Sequence, residues 1–381
     1  MLIVWLQQIS GILIVVLILL DVFLTVLYAR MGSGLISPRL ARIIWHTFRV
    51  VARSFPRYCN RVASFCGPVI LVSLVFVWIA GLTVGNALLF HPVLGTAIHS
   101  SNGKTPTDFV SALYAGGSSI SIVGSGDFSP SVSRYRLVYL FNSIVGLSVT
   151  SLTLTYLMQI YSQLQQRNTF ALKVYLATCE TGDAAVLITG LAPNGEWSQG
   201  TSALWELAAE VAATKEAHHF YPVLFYMRFV EPYYSLSFAT LVLLDAIAIM
   251  RSTLGDQHRA VKELRALDQI WHGSLILLTS LEKTFLPEKP PPPQKPDSTE
   301  MALWQNRLDR ATTLLETAGL RTVDRSDAWR KYGELRSEWN RHIQNLAPSM
   351  LYSMQDIDAA TYGAGRQDYF SGKRMKLPTA S

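Results

Sequence analysis

The sequence has little charge and little cysteine for its length. Of its 381 residues only 16% are charged, whereas soluble proteins average roughly 25%. Its cysteines, Cys59, Cys66 and Cys179, form no CxxC pair, which argues against a disulfide scaffold and against a cysteine-rich zinc site. The apolar residues are concentrated in the first 165 positions, and the remainder resembles a soluble helical protein.

Motifs for a nucleotide site, an enzyme or a nucleic-acid module are also missing. There is no Walker GxxxxGK[ST] and no GxGxxG after a strand. No Ser-His-Asp or paired-carboxylate arrangement can be identified, so we predict that the protein is not an enzyme. The basic residues lack patterned aromatics, so we expect no nucleic-acid partner. His218 and His219 are helical neighbours that point about 100° apart, so we expect a surface or boundary role rather than a metal site.

Three apolar segments are long enough to cross a bilayer, which takes about 20 residues. They cover residues 2–28, 68–90 and 135–161. No basic residue precedes the first, which favours a retained helix over a signal peptide. The linker between the first two has seven arginines and no acid, so the positive-inside rule makes it cytoplasmic. The N-terminus is then outside, and the chain from residue 165 is inside the cell.

This basic linker predicts an amphipathic helix. Ser37 followed by Pro38 is a typical helix start. Arginines recur at steps of three or four and share one helical face, namely Arg39, Arg42, Arg49 and Arg53. We expect this helix to lie on anionic lipids of the inner leaflet. The alternative is packing against the protein's own soluble domain.

One acidic residue, Asp21, lies within the first apolar segment. An intramembrane carboxylate is a functional candidate because it is costly to keep there. The competing interpretation, which we favour, is a structural hydrogen bond to a neighbouring helix or to a linker arginine.

The chain between the second and third apolar segments predicts a short helix followed by a glycine loop. Thr107 is a suitable cap for a helix that continues through Tyr114. The loop that follows reads SISIVGSGDF, residues 119–128. Irregular backbone at membrane depth is tolerated only where it lines an aqueous cavity or is buried in protein.

This arrangement resembles the two-helix pore module of the potassium-channel superfamily. In that family a pore helix beginning Ala-Leu-aromatic leads into Thr-Val-Gly-Tyr-Gly-Asp, and residues 112–127 align with it without a gap. The matching filter residues are Val123, Gly124, Gly126 and Asp127. Gly146 lies 19 residues after Asp127 (146 − 127 = 19), where the family often has a hinge glycine. The resemblance covers residues 68–165.

The resemblance implies a filter at Ser121, Ile122, Val123, Gly124, Ser125, Gly126 and Asp127, in which backbone carbonyls replace the hydration shell of a cation. Two departures weaken it. Ile122 stands where the family has a threonine ligand, and Ser125 where it has a bracing tyrosine. Ala115, opposite that brace, is also small, and Gly116 and Gly117 are expected to loosen the pore helix. We therefore predict a cation channel with weakened potassium selectivity.

The C-terminal half predicts helices joined by a proline-rich linker. Residues 236–249 are apolar but short and contain Asp245, so we expect a buried core helix rather than a fourth span. What the cytoplasmic domain senses cannot be identified. The predicted divisions are 1–30 (membrane helix), 31–67 (linker), 68–165 (pore), 166–286 (helical domain), 287–300 (proline-rich linker), 301–346 (helices) and 347–381 (flexible tail).

The predicted fold class is an all-α membrane protein, with three transmembrane helices, a re-entrant pore loop between the second and third, and a helical cytoplasmic domain. The predicted function is a homotetrameric, multi-pass, inner-membrane channel that needs no cofactor and passes K⁺, with Na⁺ as a second permeant ion. Each chain supplies one loop of the ring. A non-conducting receptor or scaffold on a degenerate pore, and an enzyme on a membrane anchor, are the alternatives.

Overall fold

The structure, a computed structural model, describes residues 2–28, 34–55, 58–124, 126–286 and 296–363. Two compact units divide the chain. The first comprises residues 1–47, 66–162 and 220–223, and the second 48–65, 163–219 and 224–381. The first unit includes most of the predicted pore segment 68–165, and the second includes most of the predicted segments 166–286 and 301–346. The predicted domain divisions stay a prediction.

Six helices occupy the N-terminal part of the chain. They are α1 (Leu2–Val22), α2 (Ser37–Ser54), α3 (Cys59–Ser64), α4 (Cys66–Phe90), α5 (Phe109–Ile120) and α6 (Ser133–Ala177). A π-helical turn, Phe23–Leu27, extends α1. Helix α6 is continuous from residue 133 to residue 177, so a single helix contributes to both units.

The first unit also contains a short antiparallel ribbon that the all-helical prediction missed. Strand β1 (Ile98–Ser100) pairs with β2 (Phe128–Pro130), with His99 opposite Ser129. These strands are three residues long, too short to show the alternation that identifies a strand in a sequence. The ribbon joins the segment before α5 to the segment after the glycine loop.

Close backbone approach holds α1 and α5 against α4. A Cβ on Gly11 of α1 would lie 2.5 Å from the carbonyl oxygen of Gly85 in α4. A Cβ on Gly116 of α5 would lie 2.7 Å from the amide nitrogen of Ala87. Small residues at helix crossings allow such packing in membranes. Gly116 therefore fixes α5 on α4, and α5 continues to Ile120 rather than loosening as predicted.

Among the described residues, four helical stretches are long and apolar enough to cross a membrane by length and composition: Leu2–Leu27, Cys59–Val93, Ser133–Ala177 and Leu236–Thr253. The first three contain the three predicted spans. The fourth differs because almost all of its residues are buried among the helices of the second unit. Its burial agrees with the core helix expected from the sequence.

The second unit is built around that buried helix. Its elements after α6 are α7 (Ala184–Leu191), α8 (Ser198–Phe220), α9 (Leu236–Thr253), α10 (Arg259–Lys262), α11 (Arg265–Phe285), α12 (Ser298–Thr317), α13 (Arg325–Ser349), α14 (Met354–Ile357) and α15 (Ala359–Tyr362). Helices α7, α11, α12 and α13 pack around α9. Every residue of α9 except Arg251 is buried.

The chain beyond residue 346 is more ordered than predicted. Helix α13 extends to Ser349, and α14 and α15 follow where the sequence predicts a flexible tail. Asp358, which caps α15, binds the buried Arg336 at 2.5 Å, so this segment is anchored by a contact far away in sequence. Residues 364–381 and most of the predicted proline-rich linker, 287–295, lie outside the described residues.

Candidate functional site

The pore helix α5 begins and ends at defined caps. Its N-cap is Asp108, not the predicted Thr107, because a carboxylate oxygen of Asp108 accepts from the amide of Ser111 at 3.0 Å. Its C-cap is Ser121, whose amide donates to the carbonyl of Gly117 at 3.1 Å. The carbonyl end of α5 therefore leads directly into the glycine loop. This end carries a partial negative charge, which attracts cations.

The glycine loop, residues 121–127, is irregular over its described residues, of which 121–124 and 126 are exposed and Asp127 is half-buried. Val123 is 91% exposed and Ile122 is 64% exposed, which is unusual for two large apolar residues in sequence. Gly124 has φ +60° and Gly126 has φ +69°, in the left-handed region that glycine adopts without strain. Both glycines thus have the backbone freedom predicted for them. Ser125 lies outside the described residues.

The acid at the end of the loop is held by the pore helix. The hydroxyl of Tyr114 donates to Oδ2 of Asp127 at 2.6 Å, and its ring meets that of Phe128 edge to face at 6.0 Å. Hydrogen bonds to carboxylates are among the stronger ones in proteins. The sequence singled out both residues but did not predict this contact, and with Ala115 opposite Ser125 it predicted little support for the loop.

A second support comes from the segment before α5. The amide of Ser101 donates to the carbonyl of Asp127 at 2.8 Å, and its hydroxyl donates to the carbonyl of Gly126 at 2.5 Å. The ribbon of β1 and β2 continues this pairing. The outer end of the loop is therefore fixed by both α5 and β1. Ser101 carried no recognisable signal in the sequence.

A buried polar cluster links the three helices behind the loop. Nδ2 of Asn142 in α6 donates to Oδ1 of Asn86 in α4 at 2.8 Å and to Oγ of Ser119 in α5 at 3.0 Å. All three side chains are buried. Satisfied polar networks in an apolar interior specify one arrangement of their members. This cluster therefore fixes the register of α4, α5 and α6, and sequence patterning could not identify it.

Gly146, the predicted hinge, lies at the closest approach of α6 to the pore helix. A Cβ at this position would lie 1.8 Å from the carbonyl oxygen of Ile120. Helix α6 passes through Gly146 without interruption. The glycine thus has a packing role at the base of the loop, and its role as a hinge stays a prediction.

Asp21 connects α1 to the start of α2. Its Oδ1 accepts from the amides of Leu35 and Ile36, both at 2.7 Å. Its Oδ2 accepts from Oγ of Ser37 at 2.7 Å and from Nε1 of Trp78 at 2.9 Å. With the amide of Ser37, which lies 3.4 Å from Oδ1, five donors from residues 35–37 and from α4 satisfy the carboxylate. The favoured interpretation, a structural hydrogen bond to a neighbouring helix, agrees with these contacts.

The arginines of α2 do not converge on the loop. Arg39, Arg42 and Arg53 are exposed and Arg49 is half-buried. Arg42 donates to the Pro38 carbonyl of its own helix at 3.3 Å, and Arg39 to that of Leu35. On the same helix Trp45 and Ala52 are buried, while Ile43 and Val50 are exposed. One face of α2 therefore packs on protein, and the other combines arginines with exposed apolar side chains.

In the second unit, Asp245 of α9 is the centre of a buried ionic cluster. Its Oδ2 accepts from Nη2 of Arg307 at 3.0 Å, and its Oδ1 accepts from the Tyr332 hydroxyl at 2.6 Å and from Nη1 of Arg336 at 3.2 Å. Burial by itself lowers the pKa of Arg307, but the carboxylates of Asp183 and Asp245 raise it above its ordinary value. The cluster ties α9, α12 and α13 together.

Nothing in the described part of the chain forms a metal site, as no three His, Cys, Asp or Glu side chains there are placed to share an ion. His218 is buried, and its Nδ1 lies 2.9 Å from the carbonyl of Thr214. His218 therefore lies in the helical core and not at the surface or boundary position expected from the sequence.

Two long helices, a short helix between them and a braced glycine loop make up this part of the chain. Residues 72–163 match the model of a family described as ion channel. This match confirms the resemblance predicted from the loop for this part of the chain, and the matched family is one of channels rather than enzymes.

A relative along much of the chain is also a membrane protein. The uncharacterized membrane protein YdjJ of Bacillus subtilis (strain 168) is 24% identical over 267 residues, which are 68% of this chain and 74% of the relative. No solved structure matches the chain. The apolar helices, the family match and this relative together identify a membrane protein, of which residues 72–163 are similar to an ion-channel family.

Proposed function

We propose that the protein is a homotetrameric, potassium-channel-like cation channel whose filter is formed by residues 121–127. The observation that carries this proposal is the loop itself, which follows the carbonyl end of α5 and is braced by Tyr114 and Ser101. Four such loops around one axis would supply the rings of carbonyl oxygens that replace a cation's hydration shell. The large exposed fractions of Ile122 and Val123 in one chain also support neighbouring copies.

The surface of α6 supports a water-filled path beneath the filter. Five polar residues recur at helical spacing on one exposed face: Ser148, Ser151, Thr155, Gln159 and Ser162. An adjacent exposed stripe is apolar, at Leu140, Leu147, Leu154 and Met158. Polar side chains at membrane depth favour a cavity or a protein interior over lipid. We infer that the polar stripe faces the axis and that the apolar stripe meets lipid or a neighbouring subunit.

The composition of the filter sets the expected selectivity. Ile122 offers no side-chain oxygen where the family has a threonine hydroxyl, which leaves one ring of ligands incomplete. We propose that the channel passes K⁺ and Na⁺ with a weakened preference for K⁺. The second unit would control opening through α6, which runs into it without a break.

Flux through the purified tetramer in liposomes tests the proposal. We expect K⁺ and Na⁺ to permeate and Cl⁻ not to, and we expect Gly124→Ala to abolish flux because φ +60° strains any residue with a Cβ. The variant Ile122→Thr is expected to shift the reversal potential toward that of K⁺. An intact tetramer without cation flux would favour the non-conducting receptor or scaffold.

Thiol modification tests the inferred pore-facing stripe. In a Cys179→Ser background, which removes the exposed native thiol, Thr155→Cys on the polar stripe is expected to be blocked by a charged thiol reagent. The matched control is Leu154→Cys on the apolar stripe, which points about 100° away around the helix and is expected to be insensitive. Block of the control alone would contradict the assignment of the two faces.

We further propose that α2 lies on anionic lipid headgroups of the inner leaflet, with the N-terminus outside and the second unit in the cytoplasm. The contact of Asp21 with residues 35–37 supports this, since it holds the start of α2 near the end of the first apolar helix. Arginines beside exposed apolar side chains suit an interfacial helix. If so, flux through the native protein should depend on the fraction of anionic lipid in the liposomes. The triple variant with Arg39→Gln, Arg42→Gln and Arg53→Gln should lose that dependence.

A further inference from the structure

Two buried arginines, Arg167 and Arg228, fix the segment between α8 and α9 to other parts of the second unit. Arg167 of α6 donates from Nη1 to the carbonyl of Leu224 and from Nη2 to the carbonyl of Met227, both at 2.8 Å. Its side chain is 3% exposed. The position lies four residues beyond the matched pore module, which ends at residue 163 (167 − 163 = 4). Arg167 therefore binds this segment from a position on α6 that directly follows the matched residues.

The second arginine, Arg228, lies within the segment between α8 and α9. It donates from Nε to the carbonyl of Met350 at 3.0 Å and from Nη2 to that of Leu351 at 2.9 Å. It also donates from Nη2 to Oδ1 of Asn60 at 2.7 Å and from Nη1 to the Asn60 carbonyl at 3.1 Å. Asn60 lies in α3, six residues before α4 begins at Cys66 (66 − 60 = 6). Arg228 thus joins the approach to α4 with the end of α13.

Aromatic contacts keep this segment rigid. The ring of Phe225 stacks on that of Phe285 in α11 with centroids 4.1 Å apart. The guanidinium of Arg228 lies 4.2 Å from the ring centroid of Tyr352, whose hydroxyl donates to the carbonyl of Phe229 at 2.9 Å. A rigid segment can transmit a displacement from one of its partners to another, whereas a mobile loop would absorb it.

The choice of arginine is informative because its partners are neutral oxygens. Burying a cation is costly even when it is hydrogen-bonded, and an apolar side chain would fill the same volume at less cost. What a guanidinium adds is a planar fork of donors that fixes several acceptors in one geometry. Arg228 uses that fork on α3 and on the end of α13 at once. Its chemistry therefore suits the alignment of separate chain segments.

We propose that Arg167 and Arg228 are positioning residues of one mechanical junction, residues 224–229, which couples the second unit to both ends of the pore module. The junction holds α6 just after the pore module and α3 just before it. A rearrangement of the C-terminal helices would then reach the inner and the outer pore helices together. The proposal rests on the channel function proposed above and names the route by which the second unit controls it.

Hydrogen exchange in the full tetramer tests the junction without reference to ion flux. In Arg167→Met, we expect amide exchange to rise about tenfold in residues 58–65 as well as in 163–170. Arg167 forms no described hydrogen bond with residues 58–65, so only transmission through the junction predicts the distant effect. Arg330→Met, at an exposed position of α13, is the matched control and should leave both segments unchanged. Faster exchange confined to 163–170 would show two independent anchors and overturn the proposal.

Single-channel recording measures open probability, which a purely structural role of the two arginines would not change. We expect Arg167→Met and Arg228→Met each to change open probability about fivefold or more, with the reversal potential unchanged. The double variant should change it no further than the larger single effect, because both act on one junction. Additive effects, or a shifted reversal potential, would contradict the proposal.

Two further measurements keep the outcomes separate. If Arg228→Met does not assemble, Arg228→Lys retains the charge without the fork and should show the same gating change, and wild-type gating in that variant would count against the junction. If the wild-type tetramer conducts no ions while Arg167→Met still raises exchange in residues 58–65, the channel function fails and the mechanical junction stands.

Discussion

The hydroxyl of Tyr114, in the pore helix, donates a 2.6 Å hydrogen bond to the carboxylate of Asp127 at the end of the glycine loop. This bond replaces much of the support that the loop lacks, because Ser125 and Ala115 stand where bulkier bracing side chains were expected. It connects the rigid helix to the loop at its outer end. Together with the contacts of Ser101, this phenolic hydroxyl should therefore stabilise the loop.

Removing that hydroxyl should weaken the loop without unfolding the protein. A hydrogen bond contributes about 0.5–1.5 kcal/mol net, so Tyr114→Phe should shift the loop toward non-conducting states by about twofold to tenfold. Steady-state cation flux in liposomes measures this shift. The control is Tyr58→Phe, at an exposed tyrosine, which should conduct like the wild type. Equal flux in both variants would show that the contact is dispensable.

The packing of Gly146 predicts damage at the base of the loop. In Gly146→Ala the added Cβ would lie 1.8 Å from the carbonyl of Ile120, and forced overpacking costs about 1–3 kcal/mol. The thermal unfolding midpoint of the protein and its cation flux should both decrease. Gly333→Ala in α13 meets no atom within 4 Å and should be neutral or stabilising. Unchanged stability with altered open probability in Gly146→Ala would favour the hinge instead.

The buried ionic cluster predicts a large stability effect at Asp245. Asp245→Asn leaves the charges of Arg307 and Arg336 partly uncompensated, and breaking a buried pair from one side costs about 3–5 kcal/mol. Chemical unfolding followed by tryptophan fluorescence measures the loss. Asp309→Asn, at a half-exposed site 3.9 Å from Arg325, should change stability by less than about 1 kcal/mol. Similar values for the two variants would show that the cluster adds little.

His218 predicts a dependence of stability on pH. Burial, with the nearby charge of Arg167, lowers the pKa of His218 from 6.5 to about 4. In the unfolded chain His218 is therefore protonated as the pH falls below about 6.5, whereas in the folded chain it is protonated only near pH 4. Stability should fall as the pH decreases through this window, by up to about 3 kcal/mol.

Unfolding midpoints between pH 7 and pH 4.5 check this dependence. His218→Gln should flatten the profile over that range, whereas His219→Gln, at the adjacent position, should keep the wild-type slope. A slope that survives in His218→Gln would assign the pH dependence to other groups.

Much of the pore module could be predicted from the sequence because its signals are local. Membrane helices need about 20 apolar residues in a row, and the positive φ angles at Gly124 and Gly126 follow from the one residue type that adopts them freely. The core position of α9 was also predictable, since a short apolar run containing Asp245 suits a protein interior better than lipid. These features depend on neighbouring residues in the chain.

The tertiary structure decided the contacts between distant residues. Tyr114 and Asp127, Asn142 and Asn86, and Arg228 and Asn60 meet only after helices pack, and no periodicity marks such pairs. The same reason explains why Gly116 and Gly146 are packing residues, and why residues 347–363 are anchored through Arg336 rather than flexible. Sequence patterns specify which residues can form a helix or a loop, whereas packing selects the partners that support it.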